Sequence, residues 1–186
     1  MRFQVAVSVV FIALALLVLP VCSAEEAMEM DTEMEMPFGG DADVEFAKSL
    51  WMAMDGYHDW HLTSAYYEGA SPHGMFLRMY YNIVRINEMP YHVVVKDNLG
   101  GEGATLETVA GSPADYLMAV TVMVQREAGY DPDNNNWFWV KYGADGTVDM
   151  NDMGMAMAGR VAKGMDMGCI ACHKKAAGAD FLFVND

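Results

Sequence analysis

The pentapeptide Cys-Ile-Ala-Cys-His at residues 169–173 constrains this chain more than any other feature of its sequence. C-x-x-C-H is the attachment signature of a c-type haem, in which two thiols bond to the porphyrin vinyl groups and the imidazole is the proximal iron ligand. The sequence therefore predicts one covalently attached haem c, held by Cys169 and Cys172, with His173 on the iron.

Two other kinds of site use closely spaced cysteines. A structural zinc site needs about four ligands, and the only other cysteine, Cys22, lies in an apolar amino-terminal segment. A thioredoxin-type dithiol is expected near a βαβ unit, but only 13 residues follow His173. A chance match is the remaining alternative. We favour haem attachment because the opposite end of the chain supports it independently.

The amino-terminal residues have the organisation of a secretory signal peptide. A short basic region precedes an almost unbroken apolar run from Val5 to Leu19, and Ala24 offers a small residue for cleavage. The run is shorter than the ~20 residues that cross a bilayer. We therefore expect residues 1–24 to be removed on export to the periplasm, where haem c is attached. A lipoprotein signal at Cys22 is the weaker alternative, because Val21 is bulky where a small residue is expected.

The charge of the chain excludes some classes of partner. It has 26 acidic and 11 basic residues, a formal net charge of −15. Such a balance argues against nucleic acid or an anionic membrane as a partner. It allows electrostatic steering of a basic periplasmic redox partner, although solubility alone explains the charge equally well.

Composition divides the exported chain into two parts. Residues 25–41 alternate methionine and glutamate without a core-forming pattern, which predicts a disordered acidic segment. Methionine-rich tracts also bind copper(I), which is a second interpretation of this segment. The remaining residues, 42–186, are expected to form one haem-binding domain.

Hydrophobic periodicity predicts an α+β fold. Residues 43–54 have helical spacing, with Asp41 or Asp43 as the cap. Four runs rich in β-branched and aromatic residues predict strands, and their turn-like spacers suggest an antiparallel sheet. The strands are expected at residues 75–83, 92–96, 117–124 and 137–142. A loop or broken helix over 153–167 then leads to a short carboxyl-terminal haem-attachment helix.

The sixth iron ligand is not apparent from the sequence. No methionine follows His173, so a methionine ligand would have to come from upstream. We therefore favour a five-coordinate iron with an open distal site, which binds small molecules. His73 and His92 are candidates to line that site, whereas His58 and His61 are expected to be surface or hydrogen-bonding residues.

Several segments, taken in order, resemble the cytochrome P-460 family of periplasmic c-type haem proteins, which includes the β-type cytochromes c′. The resemblance extends over roughly residues 70–186. Only the haem motif is chemically specific by itself; the others count through their order and spacing. The segments are Ser71-Pro72-His73-Gly74, Arg78, Met89-Pro90, Val93-Val94-Val95-Lys96, residues 117–124, Asn136-Trp137-Phe138-Trp139, Cys169-x-x-Cys172-His173-Lys174 and Ala179-Asp180-Phe181-Leu182-Phe183.

The resemblance implies an antiparallel sheet with a few helices, often assembled as a homodimer. In the enzymatic members a lysine that ends a V-x-V-K strand is covalently linked to the haem edge, and Lys96 occupies that position. Members without the cross-link bind nitric oxide or carbon monoxide. An ordinary solvated lysine is the alternative for Lys96.

One departure from the enzymatic members concerns the distal side. Hydroxylamine-oxidising members carry a distal glutamate in the third strand, and here that position falls on Thr121 or a neighbouring valine. No carboxylate lies between Asp115 and Glu127, so the obvious general base is missing. Glu102 or Glu107 replaces it only if their segment folds over the haem.

These observations predict a periplasmic monohaem cytochrome that binds or transforms small nitrogen species. Nitric oxide is the leading ligand, and hydroxylamine oxidation assisted by Lys96 is the rival enzymatic activity. The alternative from a different class is a simple electron-transfer cytochrome c, which needs a sixth ligand from the protein.

Overall fold

The computed structural model describes residues 38–183. Its helices are α1 (Asp41–Ala53), α2 (Leu106–Gly111), α3 (Pro113–Tyr116) and α4 (Cys169–His173), with single 3-10 turns at Tyr57–Asp59 and Pro132–Asn134. Its strands are β1 (Leu62–Thr63), β2 (Tyr67–Glu68), β3 (Phe76–Ile86), β4 (Met89–Leu99), β5 (Leu117–Gln125), β6 (Trp137–Gly143) and β7 (Ala158–Gly159).

The seven strands form one antiparallel sheet in the order β1-β3-β4-β5-β6-β7, with β2 also paired to β3. The α+β fold class and the carboxyl-terminal helix are therefore confirmed. The four long strands, β3 to β6, are neighbours both in sequence and in the sheet: a tight turn joins β3 to β4, helices α2 and α3 lie between β4 and β5, and a loop with one 3-10 turn joins β5 to β6. No helix among residues 38–183 is long and apolar enough to cross a membrane.

Side chains alternate between the two faces of this sheet. One face, which we call the helix face, packs against α1 through Ala47 and Leu50. Its strand residues are almost all apolar or aromatic, as expected for a core. They include Tyr80, Val84, Val93, Val95, Val120, Val122, Val124, Phe138, Val140 and Tyr142.

The opposite face, which we call the motif face, packs against α4 through Ile170. The strand register places the following residues on it: Leu77, Met79, Tyr81, Ile83, Arg85, His92, Val94, Lys96, Asn98, Ala119, Thr121, Met123, Gln125, Trp137, Trp139 and Lys141. Polar residues and large aromatic rings alternate on this surface. The sheet therefore separates the fold's main core from the haem motif.

The predicted elements agree with the structure except at a few points. The cap of α1 is Gly40, not Asp41 or Asp43; both aspartates lie in the first turn, where a helix favours negative charge. The strand expected to start at His92 begins at Met89, with Pro90 inside it. Helices α2 and α3 were not predicted, because each is too short to show helical periodicity.

The domain begins slightly earlier than residue 42. Phe38 is buried among the motif-face residues, and the Gly39 amide donates to the Ala158 carbonyl at 2.8 Å. The predicted signal peptide and most of the predicted acidic segment lie outside the described residues.

Candidate haem site

Helix α4 brings both cysteines and the histidine of the motif together in little more than one turn. Its buried Ile170 fixes the helix on the motif face. Cys169 is half-buried and Cys172 is exposed, and both carry free thiols. Burial raises the pKa of the Cys169 thiol to about 11, so this thiol is protonated at neutral pH.

The imidazole of His173 is oriented by a hydrogen bond to the carbonyl of Phe181 at 2.7 Å. A carbonyl only accepts, so Nδ1 carries the proton, and Nε2 of the neutral ring keeps its lone pair. Burial lowers the pKa of His173 to about 4, which keeps the ring neutral at pH 7. A neutral imidazole oriented through its other nitrogen is the form that binds a metal.

Aromatic rings surround His173. The centroid of its ring lies 4.8 Å from that of Trp139, 5.3 Å from that of Phe183 and 6.2 Å from that of His73. All three contacts are close to edge-on. The indole Nε1 of Trp139 is buried and has no hydrogen-bond partner. A buried donor without a partner marks a place where a bound group can supply the acceptor.

The loop between β5 and β6 holds the segments on both sides of α4. Lys163, upstream of α4, is paired with the buried carboxylate of Asp131 at 2.6 Å. Downstream, Asn135 Nδ2 donates to the Ala179 carbonyl at 2.6 Å, and Trp137 Nε1 donates to the Asp180 carbonyl at 3.0 Å. The sequence predicted only a turn here, because these contacts join residues about 30 to 45 positions apart.

Lys96 lies on the motif face, as strand alternation predicted. It is directly opposite Met79 on β3 and Thr121 on β5. Only 9% of Lys96 is exposed, and burial lowers its pKa, which favours the neutral amine. Lys96 shares this face with Trp139, whose ring packs against His173, so Lys96 lies on the side of the sheet that carries the haem motif.

His73 joins this group through Asn98. The Nδ1 of His73 donates to Asn98 Oδ1 at 2.8 Å, while Asn98 Nδ2 donates to the Lys96 carbonyl and to Thr121 Oγ1, at 2.9 and 3.1 Å. Burial lowers the pKa of His73, and the charge of Lys96 adds to the effect. The sequence did not identify Asn98, because an asparagine in a strand carries no functional signal alone.

The other histidines lie elsewhere. His58 is on the helix-face side, where it contacts the buried Asp97 at 3.0 Å. His61 and His92 line a groove of about 660 Å³ on the motif face, and Trp137, Asp180 and Leu182 form its other side, so the groove borders the segment that follows α4. His92 does share a face with Lys96, as predicted, but its side chain is exposed and it lies four residues before Lys96 on the same strand. The structure therefore brings the His73 ring close to His173, whereas His92 borders the segment after α4 from an exposed position.

The side chains around α4 include the donors that a haem requires. Within residues 38–183, no three His, Cys, Asp or Glu side chains cluster in a way that could hold a metal ion. Two free thiols, one neutral imidazole with a free Nε2 and an apolar aromatic surround instead fit a haem. The C-x-x-C-H helix on one face of the sheet indicates a c-type haem protein.

Comparison with protein families agrees with that class. The family model described as Cytochrome P460 matches residues 54–184, more than two thirds of the chain. The chain belongs to the cytochrome P460 family, and it is a haem-binding cytochrome of the c type. Comparison with curated proteins and with solved structures finds no match.

Proposed function

We propose that one haem c is bonded to Cys169 and Cys172, with His173 as the proximal ligand, and that its other side binds small nitrogen species, above all nitric oxide. The observation that carries this proposal is the arrangement of His173. Its Nδ1 is engaged by the Phe181 carbonyl, and its Nε2 is free. When bound, the haem supplies an iron that holds small ligands on the side opposite to the histidine.

The chain's own residues hold and shield this group. Phe181 fixes the imidazole tautomer, and Trp139 packs at its edge and excludes water from that side. On the motif face, strands β3 to β6 contribute no aspartate or glutamate, so they offer no carboxylate base. A surface without a carboxylate base favours binding of a neutral diatomic ligand over proton abstraction from a substrate.

A resting-state absorption spectrum followed by two ligand additions tests the proposal. We expect a high-spin, five-coordinate haem that binds nitric oxide and turns over hydroxylamine slowly or not at all with an artificial electron acceptor. A low-spin spectrum that nitric oxide does not change would contradict it.

Hydroxylamine oxidation is the second candidate, and the burial of Lys96 is the observation that favours it. A bond from lysine to the haem edge requires a neutral amine, and burial lowers the pKa of Lys96 in that direction. We propose this cross-link as a feature of the enzymatic alternative, with Thr121 at the distal position. Peptide mass mapping checks it, because a cross-linked haem peptide contains both the Cys169–His173 segment and the strand that carries Lys96.

Electron transfer is the third candidate and now has named ligands to test. Met79 and Met123 are buried on the motif face, and neither was singled out from the sequence. A thioether ligand from either residue would make the iron low-spin and six-coordinate. We expect Met79→Leu and Met123→Leu each to leave the spectrum high-spin and otherwise unchanged.

The cellular setting follows from the same proposal. Haem c attachment and the amino-terminal signal both favour the periplasm. The acidic surface favours a basic redox partner, and membership of the family favours a homodimer. Fractionation of the producing cells tests the location, and sedimentation of the purified protein tests the dimer.

A further inference from the structure

The motif face is cationic in a chain that is otherwise strongly acidic. The protein has 26 acidic residues against 11 basic ones. On the motif face of strands β3 to β6, however, the charged residues are Arg85, Lys96 and Lys141, with no acid among them. Arg85 lies at the hairpin end, where it donates to the Glu88 carbonyl. The other two basic residues lie in the middle of the sheet.

Lys96 and Lys141 flank Thr121. Thr121 is directly opposite Lys96 on β4 and directly opposite Lys141 on β6. Residues opposed in this way on antiparallel strands have Cβ atoms about 5 Å apart and share one face. Both lysines share the face on which Trp139 packs against His173. The charge of Lys141 also lowers the pKa of Cys169, against the larger effect of burial.

Lys141 differs from Lys96 in having a counter-ion. Its ammonium contacts Asp149 Oδ2 at 2.6 Å, and the Asp149 amide donates to the Lys141 carbonyl at 2.9 Å. The side chains are 40% and 39% exposed, so solvent reaches the pair. An incoming anion therefore competes with Asp149 for the ammonium of Lys141.

We propose that Lys141, restrained by Asp149, determines how strongly the site beside Thr121 prefers small anions such as nitrite over neutral nitrogen ligands. This inference rests on the proposed function and assigns it a charge preference. Lys141 supplies an attraction that a neutral ligand does not feel. Asp149 offsets part of this attraction, because it neutralises the lysine whenever the ion pair is closed.

Equilibrium titrations of the ferric holoprotein test the proposal, with sodium nitrite as the anionic probe and nitric oxide as the neutral one. We expect Lys141→Met to weaken nitrite binding about 3- to 10-fold and Asp149→Asn to strengthen it by a similar factor. Nitric oxide affinity stays within about twofold in both variants, and Lys141→Arg restores nitrite affinity. Arg85→Met and Asp152→Asn remove matching charges elsewhere and leave nitrite affinity within about twofold.

The double variant Lys141→Met/Asp149→Asn shows whether Asp149 acts through its ion pair with Lys141 or whether the two charges act on the ligand independently. If Asp149 acts through Lys141, the double variant binds nitrite as Lys141→Met alone does. Independent, additive effects would overturn the proposal. An equal loss of nitrite and nitric oxide affinity would also overturn it, since it would assign Lys141 to the porphyrin carboxylates. Failure of the wild-type protein to bind either ligand would instead contradict the proposed function.

Discussion

The two faces of the sheet both bury polar groups, and both leave some of them without a hydrogen-bond partner, but only the motif face does so beside the haem motif. On the helix face, the carboxylate of Asp97 is fully buried and contacts three donors: Tyr57 at 2.7 Å, His58 at 3.0 Å and Tyr80 at 3.2 Å. On the motif face, Trp139 Nε1 has no hydrogen-bond partner among the described residues, and its ring packs against His173. Arg78 Nε and the Tyr130 hydroxyl, on the helix side, are unpartnered as well, but neither lies beside the haem motif.

The difference between the faces shows which buried polar groups point to function. A satisfied cluster such as that around Asp97 stabilises the fold and specifies how its side chains pack. Beside the haem motif, side chains with spare donors or lone pairs mark the place where a ligand completes the set. Nε2 of His173 and Nε1 of Trp139 are such atoms, and both belong to the motif side of the sheet.

Removing both thiols should produce the largest change, and only on the motif face. We expect Cys169→Ala/Cys172→Ala to abolish covalent haem, because no thiol remains in the mature chain predicted after Ala24. Haem-dependent peroxidase staining of a denaturing gel measures the loss. Each single variant serves as a control that retains one thioether bond. Persistent staining of the double variant would place the attachment elsewhere.

A cavity in the helix face should cost stability without altering the haem. Leu50 is completely buried, so Leu50→Ala is expected to lower the free energy of unfolding by about 2–5 kcal/mol. Met52 lies on the same helix and is 70% exposed, so Met52→Ala should change the free energy of unfolding by less than about 0.5 kcal/mol. Urea unfolding gives both values. A changed Soret maximum in Leu50→Ala would mean that the two faces are not independent.

The hydrogen bond from Tyr57 to Asp97 tests whether the polar cluster of the helix face is structural. Tyr57→Phe removes one donor to a buried carboxylate and should cost about 1.5–3 kcal/mol. Ligand affinity should remain unchanged, because the cluster lies behind the sheet. A loss of nitric oxide binding without a loss of stability would give this cluster a functional role.

Breaking the ion pair between Lys163 and Asp131 should affect the motif face. Lys163→Met leaves the buried Asp131 carboxylate with Asn134 as its remaining side-chain donor, and should cost about 1–3 kcal/mol. Because this pair holds the segment that leads to α4, haem content should also fall. Lys48→Met on the exposed side of α1 is the matched control. Normal stability and haem content in Lys163→Met would contradict the role of the Lys163–Asp131 pair in holding the segment before α4.

The smallest effect concerns the stability contribution of Asp149. The hydrogen bond from Lys141 lowers the pKa of Asp149 below its ordinary value, so its contribution is present above about pH 4 and disappears as the pH falls through the lowered pKa. The pair is exposed, and Asp149→Asn should cost only about 0–1 kcal/mol at pH 7. Unfolding curves at pH 7 and pH 3 measure this difference. If Asp149→Asn lowered the free energy of unfolding more at pH 3 than at pH 7, the prediction would be contradicted.

The sequence predicted what depends on local pattern. The haem motif, the main strands and the face occupied by Lys96 follow from spacing and alternation, and the structure agrees on the strands and on that face. The sequence could not predict contacts between distant segments. The hydrogen bond from His73 to Asn98 and the ion pair between Lys163 and Asp131 are examples, because each depends on how separate parts of the chain meet.

The intact mass of the mature protein, produced in a host that attaches haem c, tests the central claim most directly. The account predicts a mass equal to that of the polypeptide plus one haem, with a pyridine haemochrome spectrum characteristic of two thioether bonds. A protein with the mass of the polypeptide alone would contradict it.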